Sequence, residues 1–199
     1  MMVSIVWLGL CYILGSLPFG LLISQSFCKI DPRQQGSKNI GATNVARTCG
    51  FQYGLAVLLL DILKGYLPIM LAFKFSGSII LVSLTGLALV AGHMYSVFLY
   101  GKGGKGVATT VGVFLALAPV ATVWAVGICL AVIYLTGFVS LGSLALVTAA
   151  PLTFLFTGNF AYIIAALLIM GLVFWRHEEN IHRLLSGEEN SWRNKKYEE

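Results

Sequence analysis

Residues 31–48 read DPRQQGSKNIGATNVART, a polar and charged stretch set between long apolar runs at residues 3–24 and 55–73. The chain is 58% hydrophobic and 11% charged, with a mean hydropathy of +0.86, whereas a soluble globular domain carries nearer about 25% charged residues. An all-α integral membrane protein is expected, and in such a chain a cluster of Arg, Lys, Ser, Thr, Asn and Gly reads as a site. A length of 199 residues leaves room for roughly five to seven spans of about 20 residues and little else. A single polytopic membrane domain over residues 1–199 is expected, with its chemistry in the connecting loops or just inside the spans.

The first run lacks a basic leader and a small-residue cleavage site, so residues 3–24 read as a retained first span. Further apolar runs lie at 55–73, 79–99, 107–135, 141–156 and 160–175. The run from 107 is too long for one upright span and contains Pro119, where it divides into a short helix and a normal one. About seven transmembrane helices result. Basic residues favour cytoplasmic loops, and eleven of the thirteen fall in three places: Lys29, Arg33, Lys38 and Arg47; Lys102 and Lys105; Arg176, Arg183, Arg193, Lys195 and Lys196. Seven crossings put all three on one side, with the N-terminus periplasmic and the C-terminus cytoplasmic. Of the remaining two, Lys74 marks an outer end. Lys64 lies inside the second span, three residues from Asp61, where a structural ion pair is expected, with a direct role toward substrate as the alternative. The four cysteines show no metal-ligand spacing and read as free thiols.

Three polar clusters therefore share the cytoplasmic face: GSKNIGATNVAR (36–47), GKGGKG (101–106) and RHEENIHR (176–183). Glycines let several backbone amides turn toward one anion, hydroxyl and amide side chains add donors, and Arg or Lys adds charge. That is phosphate-binding chemistry. A patch for lipid headgroups needs only the basic residues and has no use for Ser37, Asn39, Thr43 and Asn44 among glycines. GKGGKG contains GxGxxG, but its membrane flanks exclude a dinucleotide fold, and no Gly-Lys-Ser/Thr follows to make a P-loop. It reads as an anion-receptive loop with Lys102 and Lys105 as candidate ligands. His177 and Asn180 share a face if the last helix continues, and His93 reads as a packing or orienting residue. No HxxxxD, GxSxG or zinc signature occurs, so neither metal nor other cofactor is expected and a transferase here would work by positioning and charge neutralisation.

Together the motifs resemble the bacterial acyl-phosphate-dependent glycerol-3-phosphate acyltransferase family, PlsY. DPRQQGSKNIGATNVAR resembles its first motif, GHMYSVFLYGKGGKGVAT its second, and HEENIHRLLSGEE its third, with His177, Asn180, Arg183, Gly187 and Glu189 in the family's spacing. Two positions depart: Lys38 stands where the first motif often has Gly, and Ser96 where the second often has Pro. The resemblance implies transfer of a fatty acyl group from acyl phosphate to the sn-1 hydroxyl of glycerol 3-phosphate, giving lysophosphatidate and phosphate. On that basis Arg47 and Lys105 would take the glycerol phosphate charge, while Ser37 and Asn180 orient the glycerol. Asn39, Gly41, Ala42, Thr43, Asn44 and Ser143 would receive the acyl phosphate. His177 would hydrogen-bond the departing phosphate or the carbonyl, or act as base. The expected setting is a bacterial inner membrane with the site facing the cytoplasm, membrane lipid as the surroundings, no nucleic acid and a monomer. The main rival is a membrane transporter of an organic phosphate, but coupling residues near the midplane are limited to Asp61 and Lys64, and no repeated halves are evident.

Overall fold

The structure, a computed structural model, describes residues 2–193; Lys195 and Lys196, counted above among the cytoplasmic basic residues, lie outside the described residues. Helices and the turns joining them make up the described residues. Among the described residues, five segments are long and apolar enough to cross a membrane: Met2–Cys28, Phe51–Phe75, Ile79–Leu99, Pro119–Thr136 and Val139–Phe156. A sixth is added if Phe160–Arg176 and Glu178–Ser186, bent by 62°, count as one span. The side chains most exposed along these helices are themselves apolar, among them Ile80, Val123, Trp124, Leu130 and Ile164, each over half exposed. Water would not tolerate such a surface, and lipid does. All four cysteines are free thiols.

The chain divides into two compact units, Met1–Leu117 and Ala118–Glu199. In the first, α1 (Met2–Gly15) ends before Pro18 and the chain resumes as α2 (Phe19–Ile23), which runs into one wide turn at Ser24–Cys28. The expected uninterrupted first span is thus broken, because proline brings no N–H to the helical ladder. Then follow α3 (Ala42–Cys49), α4 (Phe51–Phe75), α5 (Ile79–Met94) and α6 (Val107–Leu117). α1 packs on α5 and α4 on α6 through small residues: a Cβ at Gly92 would lie 2.2 Å from the Tyr12 carbonyl oxygen, and one at Gly112 2.0 Å from that of Ile62. Without a hydrophobic drive between helices in lipid, such backbone approach is what holds them together.

α5 stops at Met94, short of the expected run to residue 99. Its last carbonyls are taken by the glycine loop, Gly103 N–H donating to Met94 at 3.0 Å and Gly104 N–H to His93 at 3.1 Å, which satisfies orphan acceptors at a helix end. Ser96 has φ −57°, a value proline would accept, and its hydroxyl donates to the Ser16 carbonyl at 2.6 Å. The departure from proline here adds a fastening between the ends of α1 and α5.

In the second unit, Pro119 opens α7 (Pro119–Thr136) at its first position, as the division of the long apolar run anticipates. α8 (Val139–Phe156), α9 (Ile163–Arg176) and α10 (Glu178–Ser186) complete it. Gly187, at φ +75°, closes α10, with Glu188 N–H donating to the Arg183 carbonyl at 2.8 Å. The following residues return to the α7–α8 turn, where Trp192 N–H donates to Gly137 O at 3.0 Å.

Candidate active site

The first cluster is organised by one side chain. Asn44, in the first turn of α3 and 1% exposed, accepts the Ser37 N–H at 2.8 Å through Oδ1. Its Nδ2 donates to the carbonyls of Asn39 at 2.8 Å, Pro32 at 2.9 Å and Gln35 at 3.1 Å. The amide is fully engaged within the protein, so Asn44 holds the loop that would meet substrate. Two positive-φ residues let the loop wrap it: Gly36 at +59° and Lys38 at +54°. At Gly36 a Cβ would also lie 2.3 Å from Asn44 Oδ1. The left-handed Lys38 explains why a glycine suits that position.

Asn39 turns its Oδ1 back to accept the Gly41 N–H at 2.9 Å, and the Gly41 carbonyl accepts from Asn44 N–H at 3.0 Å and Val45 N–H at 3.1 Å. The Ala42 and Thr43 amides are left as the open donors of the first turn of α3. Ser37, Thr43 and Arg47 are exposed on this element. Arg33 is engaged by Asp31 at 2.7 Å, and its side-chain hydrogen bonds hold the Asp31 carboxyl below the ordinary range. Arg47, in the last turn of α3, has no ion-pair partner among the described residues. Its guanidinium is available for an anion.

Within the first unit the second cluster is pinned to the first. Buried Ile40, from the first loop, clusters with Leu21 of α2 and Leu99 just before the glycine loop. Gly103 and Gly104 lie against the end of α5 so closely that a Cβ on either would meet His93 atoms at 2.0 and 2.2 Å; this requirement makes the loop glycine-rich and sets the place of Lys105. Lys102 is exposed and Lys105 partly covered.

The third cluster belongs to the second unit. The helix does not continue straight through it, since the chain bends by 62° between α9 and α10, at His177. His177 is 2% exposed, and its Nδ1 lies 2.8 Å from the Val173 carbonyl. A carbonyl only accepts, so Nδ1 carries the proton and in the neutral ring Nε2 keeps the lone pair. Asn180, 4% exposed, donates to Glu189 Oε1 at 2.8 Å. The same oxygen accepts Ser140 Oγ–H at 2.9 Å, and Glu189 Oε2 accepts Arg183 Nε–H at 2.9 Å. Burial raises the Glu189 carboxyl, but the bonds from Asn180, Ser140 and Arg183 outweigh it and leave the group below its ordinary range. Ser143 is buried on α8, its hydroxyl donating to the Val139 carbonyl at 2.8 Å.

Ser37, Asn39, Gly41, Ala42, Thr43, Asn44 and Arg47 thus occur on one loop and helix, Lys105 on a loop packed with it, and His177, Asn180 and Ser143 in the second unit. Reading the sequence missed the central place of Glu189. Gly187 between it and Asn180 was the available signal, because a left-handed glycine after a helix returns the chain on itself.

Comparison with known proteins bears on all of this. The sequence model described as Glycerol-3-phosphate acyltransferase matches residues 5–187. The Glycerol-3-phosphate acyltransferase of Maridesulfovibrio salexigens is 52% identical over 195 residues, covering 98% of this chain and 100% of that one. Two solved structures of PlsY, an integral membrane glycerol 3-phosphate acyltransferase, are also similar. Its glycerol 3-phosphate form is 40% identical with a TM-score of 0.90, covering 95% of each chain. Its lysophosphatidic acid form is 39% identical with a TM-score of 0.88, covering 94% of each.

Proposed function

The chain belongs to the glycerol-3-phosphate acyltransferase family, and from that premise we propose that it moves a fatty acyl group from an acyl phosphate to the sn-1 hydroxyl of glycerol 3-phosphate. The hydroxyl oxygen attacks the acyl carbon, the bond from that carbon to the phosphate oxygen breaks, and the hydroxyl proton passes to the departing phosphate or to His177 Nε2. Lysophosphatidate and inorganic phosphate leave. The similar PlsY structures are glycerol 3-phosphate and lysophosphatidic acid forms, the acceptor and product of such a step.

Arg47 carries the reading most directly, as an exposed guanidinium without an ion-pair partner among the described residues, one turn beyond the Ala42 and Thr43 amides. Arg47 and Lys105 hold the acceptor phosphate, and Ser37 and Asn180 orient its glycerol. Asn39, Gly41, Ala42, Thr43 and Asn44 form the cradle for the acyl phosphate, the last by fixing the loop, with Ser143 assisting. A phosphate leaving group lowers the demand on a base, so His177 contributes by hydrogen bonding and orientation and is not obligatory as the proton acceptor.

Counting Val107–Leu117 as a short crossing and Phe160–Arg176 as the last gives seven spans of one domain. The N-terminus is then periplasmic, and the site and C-terminus face the cytoplasm of a bacterial inner membrane. The protein works as a monomer surrounded by lipid.

Vesicles containing the purified protein and acyl phosphate separate this reading from transport. Labelled glycerol 3-phosphate becomes chloroform-soluble lysophosphatidate; label accumulating unchanged in the lumen would favour a transporter. Arg47→Ala should raise the KM for glycerol 3-phosphate roughly tenfold to a hundredfold, the loss of a charge-assisted hydrogen bond, and unchanged kinetics would remove Arg47 from the site.

A further inference from the structure

Three buried ionisable groups of the first unit take no part in the reaction as written. Asp61 and Lys64 lie one turn apart near the middle of α4, and His93 is the penultimate residue of α5; they are 2%, 5% and 5% exposed. Lys64 Nζ stands 2.7 Å from Asp61 Oδ1, donates to the Leu17 carbonyl at 2.8 Å and lies 5.3 Å from the centroid of the Phe19 ring. It thereby ties α4 to the break where Pro18 ends the first helix. His93 Nδ1 is 3.6 Å from the same Asp61 oxygen. The far edge of the imidazole is turned to the glycine loop, where a Cβ on Gly104 would lie 2.2 Å from His93 Nε2. Gly104 N–H also donates to the His93 carbonyl at 3.1 Å. Lys105 is the next residue.

A buried ion pair is a poor source of net stability, since the desolvation of both charges offsets their attraction and well-packed apolar residues often do as well or better. Ionisable groups within a membrane therefore ask for a role. Here their arrangement supplies one: Lys64 pairs with Asp61, the His93 ring approaches the same carboxylate oxygen to 3.6 Å, and its far edge bears on the loop that carries a proposed substrate ligand. An apolar filling of equal volume would not hold the imidazole plane.

We propose that Lys64, Asp61 and His93 form a buried positioning relay that fixes the 101–106 loop, and with it Lys105, at the height needed to hold the acceptor phosphate. Lys64 anchors Asp61 to the Leu17 break, Asp61 orients His93, and the imidazole sets how closely the loop lies on α5. They are positioning residues. This rests on the reading of Lys105 as a ligand of glycerol 3-phosphate.

The test compares the purified full-length protein with Asp61→Asn/Lys64→Met, which removes both charges together, with His93→Asn, which leaves an amide near the Nδ1 position but not against Gly104, and with Lys105→Ala. KM and kcat are measured for each substrate, together with thermal unfolding in detergent. Displacing a ligand by a fraction of an ångström predicts a roughly tenfold rise in KM for glycerol 3-phosphate in the double variant and in His93→Asn. The KM for acyl phosphate should stay within about twofold, and the double variant should unfold no lower than the wild type. If Lys105→Ala raises the KM for glycerol 3-phosphate while the other two leave it unchanged, the relay is overturned. It is equally overturned if both KM values rise in step with a falling unfolding temperature. An unaltered KM in Lys105→Ala would instead remove the ligand role on which the relay rests. Should the double variant fail to fold, His93→Asn decides by the same criteria.

Discussion

Asn44→Ala is expected to lower kcat/KM by about a hundredfold or more, since small displacements of positioning groups have effects of that size. The side chain makes four hydrogen bonds, one accepted from Ser37 and three donated to Asn39, Pro32 and Gln35. Alanine leaves those partners without a common centre. Each lost bond costs about 1 kcal/mol if water can replace it and about 1–3 kcal/mol if the group stays buried. Most of this loop is exposed, so the loop should open to water while the packed helices persist. Thermal unfolding then shifts little while activity collapses. Asn44→Asp separates positioning from simple polarity: it can still accept from Ser37 N–H but cannot donate to three carbonyls, and its charge would repel them. It should be as inactive as alanine, and an active Asp variant would contradict the assigned geometry.

Glu189→Ala should be the more damaging to the second unit. It removes the shared acceptor of Asn180, Ser140 and Arg183, taking a bond from two buried donors and leaving Arg183 with only its longer pairing to Glu179 at 3.8 Å, at a destabilisation of about 2–4 kcal/mol. Activity should fall with Asn180 orientation. The pH dependence follows from the sign of the shift. The folded carboxyl lies below its ordinary value, so its contribution is present above the unfolded pKa and lost as pH falls through the folded one. Wild-type unfolding temperature should therefore fall on acidification below the ordinary carboxylate range. Glu189→Gln, which can still accept from Ser140 and Asn180 but not pair with Arg183, should begin lower and lack the acid-dependent part attributable to this group. A Gln variant with the wild-type acid profile would show that another carboxylate governs it.

The fold was legible wherever hydropathy alone decides it. The apolar runs and the break at Pro119 could be read because lipid exposure selects residue type along the whole helix and proline interrupts it locally. The break before Pro18 lies inside an apolar run that looks continuous, and the end of α5 at Met94 depends on Gly103 and Gly104 arriving from a later loop. Neither has a hydropathy signature. Within the candidate site, the polar residues of 36–47 stood out against an apolar background, as did GKGGKG. Asn44 was marked as one donor among several, because its four partners come together only after the chain turns at Gly36 and Lys38. The Asp61–Lys64 pair was expected from its spacing, and the structure adds what spacing cannot carry, the Leu17 carbonyl and His93 on its two sides.

Acyl transfer itself is most directly tested by stoichiometry with purified protein in detergent micelles. Given acyl phosphate and labelled glycerol 3-phosphate, it should form lysophosphatidate and inorganic phosphate in equal amounts, with acylation at the sn-1 hydroxyl and a strongly reduced rate in Arg47→Ala. Phosphate release without lysophosphatidate, or no reaction from folded protein, would contradict the proposed transfer.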